Sequence, residues 1–146
     1  MGFCVLGFLA AQGVYAWTFA LMPMGYLEGV QRWDGQIFRA LAEHGYTWGA
    51  NGKVGLYAFY PLFPFISRLL MALSGLPFVA VAAAVSLVCS TAGVALVTDC
   101  FYRWMGPGAA VVAAIGLSCW PAAPVLQMTF SEGVALLLFA VIIVFV

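Results

Sequence analysis

The sequence predicts an all-α, polytopic transmembrane helical protein, and three observations carry that prediction. Hydrophobic residues make up 66% of the 146 and charged residues only 7%, against about 45–50% and about 25% in an ordinary soluble domain. A soluble chain of this length cannot bury so much apolar surface, so lipid must be its main solvent. Apolar runs near the roughly 20 residues needed to cross a bilayer recur along the chain. An insert between the first two runs, at 25–76, shows apolar positions at helical spacing. Net charge is zero, which excludes the basic face a nucleic-acid partner would need.

The first span covers 2–24 and holds no charge. It lacks the positive n-region of a signal peptide and is long for an h-region. "MGFCVL" opens like a myristoylation site but has Leu6 where Ser or Thr is required. In the insert, Trp33, Ile37, Leu41 and His44 share one helical face with Ala40 between them, and Arg39 and Glu43 lie on another. That pattern predicts a short helix at the membrane surface. Gly45 and "WGANGK" end it in a loop. In "YAFYPLFPFISRLLMAL", Pro61 and Pro64 predict a kinked entry to a second short helix over 64–73. It is too short to span and reads as interfacial or re-entrant.

The second span covers 77–97 and is ended by Asp99; the third covers 108–128. A fourth begins near Ser131 and is incomplete, since only fourteen residues follow Glu132. Residues 1–146 are therefore expected to form one N-terminal part of a single membrane domain. By alternation, the insert and the turn before the fourth span share a face, which places Asp34, Arg68 and Glu132 together. Counting positive charges puts the insert in the cytoplasm, although Arg39 and Arg68 sit in the proposed interfacial helices.

Asp34 reads either as an N-cap, its carboxylate on the amides of Gln36 or Ile37, or as a base at the membrane boundary, held there by the interfacial ring of Trp33. Glu132 suits the start of a helix by its charge, with Ser131 as a possible cap, and an ionisable group at membrane depth is also a functional candidate. Arg68 either snorkels to the interface or pairs with a lipid-linked phosphate. Arg32 and Arg39 could pair with such a phosphate as well, but read rather as solvated or headgroup-binding. His44 has no second histidine with which to hold a metal. Cys4, Cys89, Cys100 and Cys119 are scattered without a C-x-x-C pair, which speaks against disulfides and zinc. Tyr46, Trp48, Tyr57 and Tyr60 form an aromatic belt in which a ring can stack on a sugar.

"RWDGQIFRALAEHGY", then "YAFYPLFPFISRLL", then "WPAAPVLQMTFSEGVALLL" resemble, in that order, three runs of the GPI mannosyltransferase 2 (PIG-V) family and its bacterial relatives. Trp33, Asp34, Phe38, Ala42, Gly45 and Tyr46 match the first run. Ala58, Phe59, Pro61, Leu62 and Pro64 match the second, and Pro121, Ser131 and Glu132 the third. Phe130 stands where that family has tyrosine, and Leu41 where isoleucine is common.

The resemblance implies a GT-C-like membrane glycosyltransferase. Its substrates would be a polyprenyl- or dolichyl-phosphate sugar, mannose in that family, and a glycolipid acceptor of the GPI type, transferred with inversion and without a resident cofactor. Asp34 would be the catalytic base, with Arg68, Glu132, Trp33 and Tyr46 binding substrate and no metal ligands assigned. The insert would be non-cytoplasmic, against the charge count. The enzyme would be a multi-pass integral protein of a bacterial plasma membrane or an endoplasmic reticulum membrane, and these residues alone would be inactive. Two other classes fit the composition: a transporter or flippase with Asp34 and Glu132 on a substrate path, and a non-catalytic membrane subunit.

Overall fold

A computed structural model describes residues 2–46 and 59–145, and each regular element among them is helical. Helix α1 spans Gly2–Leu21 and buries only Phe8 and Gln12. Helix α5 spans Phe78–Met105. These two are long and apolar enough to cross a membrane; at 1.5 Å per residue they measure about 30 Å and about 42 Å. Side chains such as Phe3, Trp17, Leu73 and Phe145 stand exposed.

The second span overruns its expected end. Asp99 does not stop α5, because it pairs with Arg103 one turn later, and such a pair carries a helix through a polar stretch.

The third span is broken. Helix α6 covers only Pro107–Cys119, about 20 Å, instead of continuing to 128. Pro121 disfavours the helical conformation for the residue before it, and Trp120 is extended at φ −61° and ψ 141°. A turn, a 3₁₀ segment Ala123–Gln127 and an extended Met128 follow.

The backbone carbonyls around this break find partners on neighbouring helices. Tyr15 Oη donates to Ser118 O at 2.9 Å and Gln12 Nε2 to Ala123 O at 3.2 Å. Gln127 Nε2 returns a bond to Gln12 O at 3.1 Å, and Ser90 Oγ lies 2.7 Å from Leu126 O. Irregular backbone in apolar surroundings survives only with such internal satisfaction. Helix α7, Glu132–Phe145, then begins where the fourth segment is expected.

The insert holds three helices among its described residues rather than two. Helix α2, Gly25–Val30, is not predicted; six residues are too few to show a period. Helix α3, Asp34–His44, buries Phe38, Leu41 and Ala42, and its outer face carries the Arg39–Glu43 pair at 2.8 Å. Gly45, at φ +77°, ends it. Helix α4, Leu62–Ser74, begins two residues before the expected start, with Pro61 at its N-cap and Pro64 in its first turn. The loop "WGANGK", Trp48, Tyr57 and Ala58 lie outside the described residues.

Phe38 meets Phe59 and Phe63 edge-on, at ring separations of 5.2 and 5.1 Å. With Val30, Phe78, Val85 and Phe130 they form the buried core. This core fixes the insert against the beginnings of α5 and α7, and so sets where Asp34 sits.

Candidate functional site

The turn that carries Asp34 is strained. Trp33 adopts φ +53° and ψ −121°, alone in positive φ among the described non-glycine residues. Gly35 N–H donates to Arg32 O at 3.1 Å and Gln36 N–H to Trp33 O at 3.2 Å. Trp33 therefore occupies the second position of a type II′ turn, a place that normally demands glycine. A bulky residue there costs of order 1–3 kcal/mol and persists only where its surroundings hold it.

Packing from the far end of the sequence supplies that hold. Gly35 lies so close to the Thr129 hydroxyl that a Cβ would overlap it, and Phe130 Cε1 would stand 3.4 Å from the same Cβ. Thr129 is latched in turn: its N–H and its Oγ1 both donate to Val30 O, at 3.0 and 3.1 Å. Ser86 Oγ of α5 donates to Phe130 O at 2.9 Å. Gly133 lets α7 seat on α5, where a Cβ would come within 2.5 Å of Ser86 O. The segment 128–131 is thus fixed between the first turn of α3 and helix α5.

Asp34 is not the N-cap. Trp33 holds that position, and Asp34 is the first residue of α3. Its exposed side chain makes no hydrogen bond or ion pair among the described residues. Glu132 is the first residue of α7, also exposed, and the Asp34 carboxylate lies near enough to act on it electrostatically. Gly35 packs against Thr129 and Phe130, so the first turns of α3 and α7 lie in one neighbourhood, and each carboxylate stands at a helix start where the dipole favours negative charge. Ser131 serves α7 through its carbonyl, which accepts from Ala135 N–H at 2.9 Å.

Arg68 is elsewhere. Its Nη1 would lie 3.6 Å from a Cβ built on Gly45, at the C-terminal end of α3. The two ends of an eleven-residue helix stand about 15 Å apart, so Arg68 and Asp34 flank α3 rather than meet. Tyr46 belongs to the Arg68 end. Its hydroxyl donates to Phe59 O at 2.7 Å, and burial pushes its phenol pKa up. His44, on the wetted end of α3, lies 4.0 Å from Glu43. Of the five candidate residues, the structure gathers Asp34, Trp33 and Glu132 and sets Arg68 and Tyr46 apart.

Two concavities flank the segment that follows α6. One, about 330 Å³, has Arg32 and Trp33 together with Phe19, Met22, Met128 and Pro124 on its walls. The other, about 610 Å³, has Glu132 beside Leu117, Trp120, Leu126 and Leu136. Val125 lines both. Arg32 was legible as a neighbour of Asp34 in "RWD", but nothing local reveals that it borders a cleft built from α1 and the 121–128 segment. Among the described residues, no group of three His, Cys, Asp or Glu could hold a metal.

In comparisons with known proteins, no family model, curated protein or solved structure matches this chain.

Proposed function

We propose that the chain forms part of a multi-pass membrane glycosyltransferase of the GT-C-like kind. It would move a sugar, mannose by the resemblance of its motifs, from a polyprenyl- or dolichyl-phosphate donor to a glycolipid acceptor. The observation that carries this reading is Asp34: an exposed carboxylate without a partner among the described residues, held in a strained turn whose Arg32 and Trp33 line a cleft. A residue that only closed a helix would need none of these features.

The chemistry is one inverting displacement. Asp34 accepts the proton of an acceptor hydroxyl while that oxygen bonds to the anomeric carbon. The bond from that carbon to the phosphate oxygen breaks, and the lipid phosphate leaves with the electron pair. A positioned base contributes about 10²–10⁴-fold. A phosphate leaving group is a stable anion and needs charge stabilisation more than a proton. Glu132 would accept hydrogen bonds from the other hydroxyls of the acceptor. The phosphate is bonded directly to the sugar, so it must leave within several ångströms of Asp34. Arg68, at the far end of α3, then serves a more distant part of a substrate or the lipid surface.

The break between α6 and α7 favours a second reading, because carriers build their sites from interrupted helices. Here, though, Gln12, Tyr15 and Ser90 occupy the carbonyls at the break, which leaves less of that backbone for a cargo. Transfer of radiolabelled mannose from its lipid phosphate to a glycolipid extract, by the purified full-length protein that carries these residues, in nanodiscs, separates the two. Incorporation that disappears in Asp34→Asn supports the transferase. Movement of the lipid-linked sugar across the bilayer without any transfer supports the carrier.

A further inference from the structure

Of the described arginines, two are without an ion-pair partner. Arg39 is paired with Glu43 and Arg103 with Asp99; Arg32 and Arg68 make no such contact among the described residues. Arg68 stands by Gly45, at the end of α3 away from Asp34. Arg32 lies on the wall of a cleft at the turn that precedes Asp34, with Phe19, Met22 and Met128 among its apolar lining and the exposed Trp33 also on its wall. A guanidinium on an apolar wall, with no acid to neutralise it, is matched by an amphiphile whose head is a phosphate. The planar fork takes two phosphate oxygens, and the apolar walls take the first carbons of a chain.

We propose that Arg32, rather than Arg68, holds the phosphate of a lipid-carried phosphate in the cleft formed by α1, the Arg32–Trp33 turn and the 121–128 segment. This inference rests on the transferase reading for its meaning but not for its test. Arg32 and Asp34 belong to one turn, closed by Gly35 N–H on Arg32 O, so a phosphate seated on Arg32 would hold the sugar bonded to it near the turn that carries Asp34. Trp33 then orders the cleft edge and the base together, giving its strained backbone a role.

The test is binding of undecaprenyl phosphate to the protein in nanodiscs, with undecaprenol, phosphatidylglycerol and inorganic phosphate as comparison ligands. Arg32→Gln is expected to weaken undecaprenyl phosphate binding by about 10- to 100-fold, the loss of one charge-assisted contact. Arg32→Lys should retain more of the affinity than Arg32→Gln, and Arg68→Gln should stay within about twofold of the unaltered protein. Undecaprenol binding should not change with Arg32, and neither millimolar inorganic phosphate nor phosphatidylglycerol should displace the ligand.

Equal binding by Arg32→Gln, a larger loss in Arg68→Gln, or an equal loss of undecaprenol binding overturns the proposal. So does ready displacement by inorganic phosphate or by phosphatidylglycerol. Sugar transfer is read separately. With transfer read on the full-length protein, Arg32-dependent binding without transfer would refute the transferase and leave this site standing. Transfer with Arg32-independent binding would do the reverse.

Discussion

Gly35, in the first turn of α3, lies directly against the Thr129 hydroxyl, with no room for a side chain between them. This contact joins the insert that carries Asp34 to the segment that delivers Glu132. Both of Thr129's bonds to Val30 O lie next to it, so displacing Thr129 also loosens the end of α2. Gly35→Ala is expected to lower stability by about 1–3 kcal/mol through overpacking. Pairing it with Thr129→Ala should cost less than the sum of the two single changes, since the second removes the oxygen that the new methyl meets. Thermal unfolding of the four proteins in one detergent checks this; strict additivity would mean the two residues do not touch.

Trp33 offers a way to measure backbone strain apart from side-chain function. Its ring is 72% exposed, so little packing is lost on removing it. Trp33→Ala keeps a Cβ at positive φ, whereas Trp33→Gly relieves it. The glycine variant should therefore be about 1 kcal/mol more stable than the alanine variant. Both should lose sugar transfer, because both lose the ring. Equal stabilities would show that residue 33 is not held at positive φ.

The break after α6 depends on two buried amides. Gln127→Leu removes the donor to Gln12 O and the acceptor that Tyr26 Oη reaches at 3.3 Å. Leaving these groups unpaired in an apolar interior should cost about 1–3 kcal/mol. The sign is informative, because leucine would be neutral or stabilising if residues 120–128 lay on an open polar surface. Denaturation monitored by tryptophan fluorescence distinguishes the outcomes.

The apolar runs were enough to read α1, the start of α5 and the start of α7, because nothing but burial or lipid accommodates them. The spacing of Trp33, Ile37 and Leu41 was enough to place α3 but not its packed face: of these only Leu41 is buried, and the helix packs through Gly35, Phe38, Leu41 and Ala42. The break at Trp120 was visible only as Pro121 and Pro124 in an otherwise apolar run, where mean hydropathy hides it. The continuation of α5 past Asp99 was signalled by Arg103 four residues later, a local pairing that an apolar count passes over. Alternation predicted a shared face for Asp34 and Glu132, but only two of the described helices are long and apolar enough to cross a membrane, and the link seen between the two segments is Gly35 against Thr129 and Phe130. Alternation could not resolve the far smaller distance along α3 that separates Arg68 from Asp34, nor the approach of Gly35 to Thr129. Those depend on side-chain packing between segments distant in sequence, which leaves no local pattern.

Substitution of Asp34 by its isosteric amide separates a base from a helix-start charge most directly. Asp34→Asn removes no hydrogen bond or ion pair among the described residues, so the fold should be kept within about 0.5 kcal/mol. In the full-length protein, transfer of mannose from its polyprenyl phosphate to a glycolipid acceptor should fall by about 10²–10⁴-fold, with donor-lipid binding unchanged. Transfer that persists at the original rate in a correctly folded Asp34→Asn protein would contradict the account.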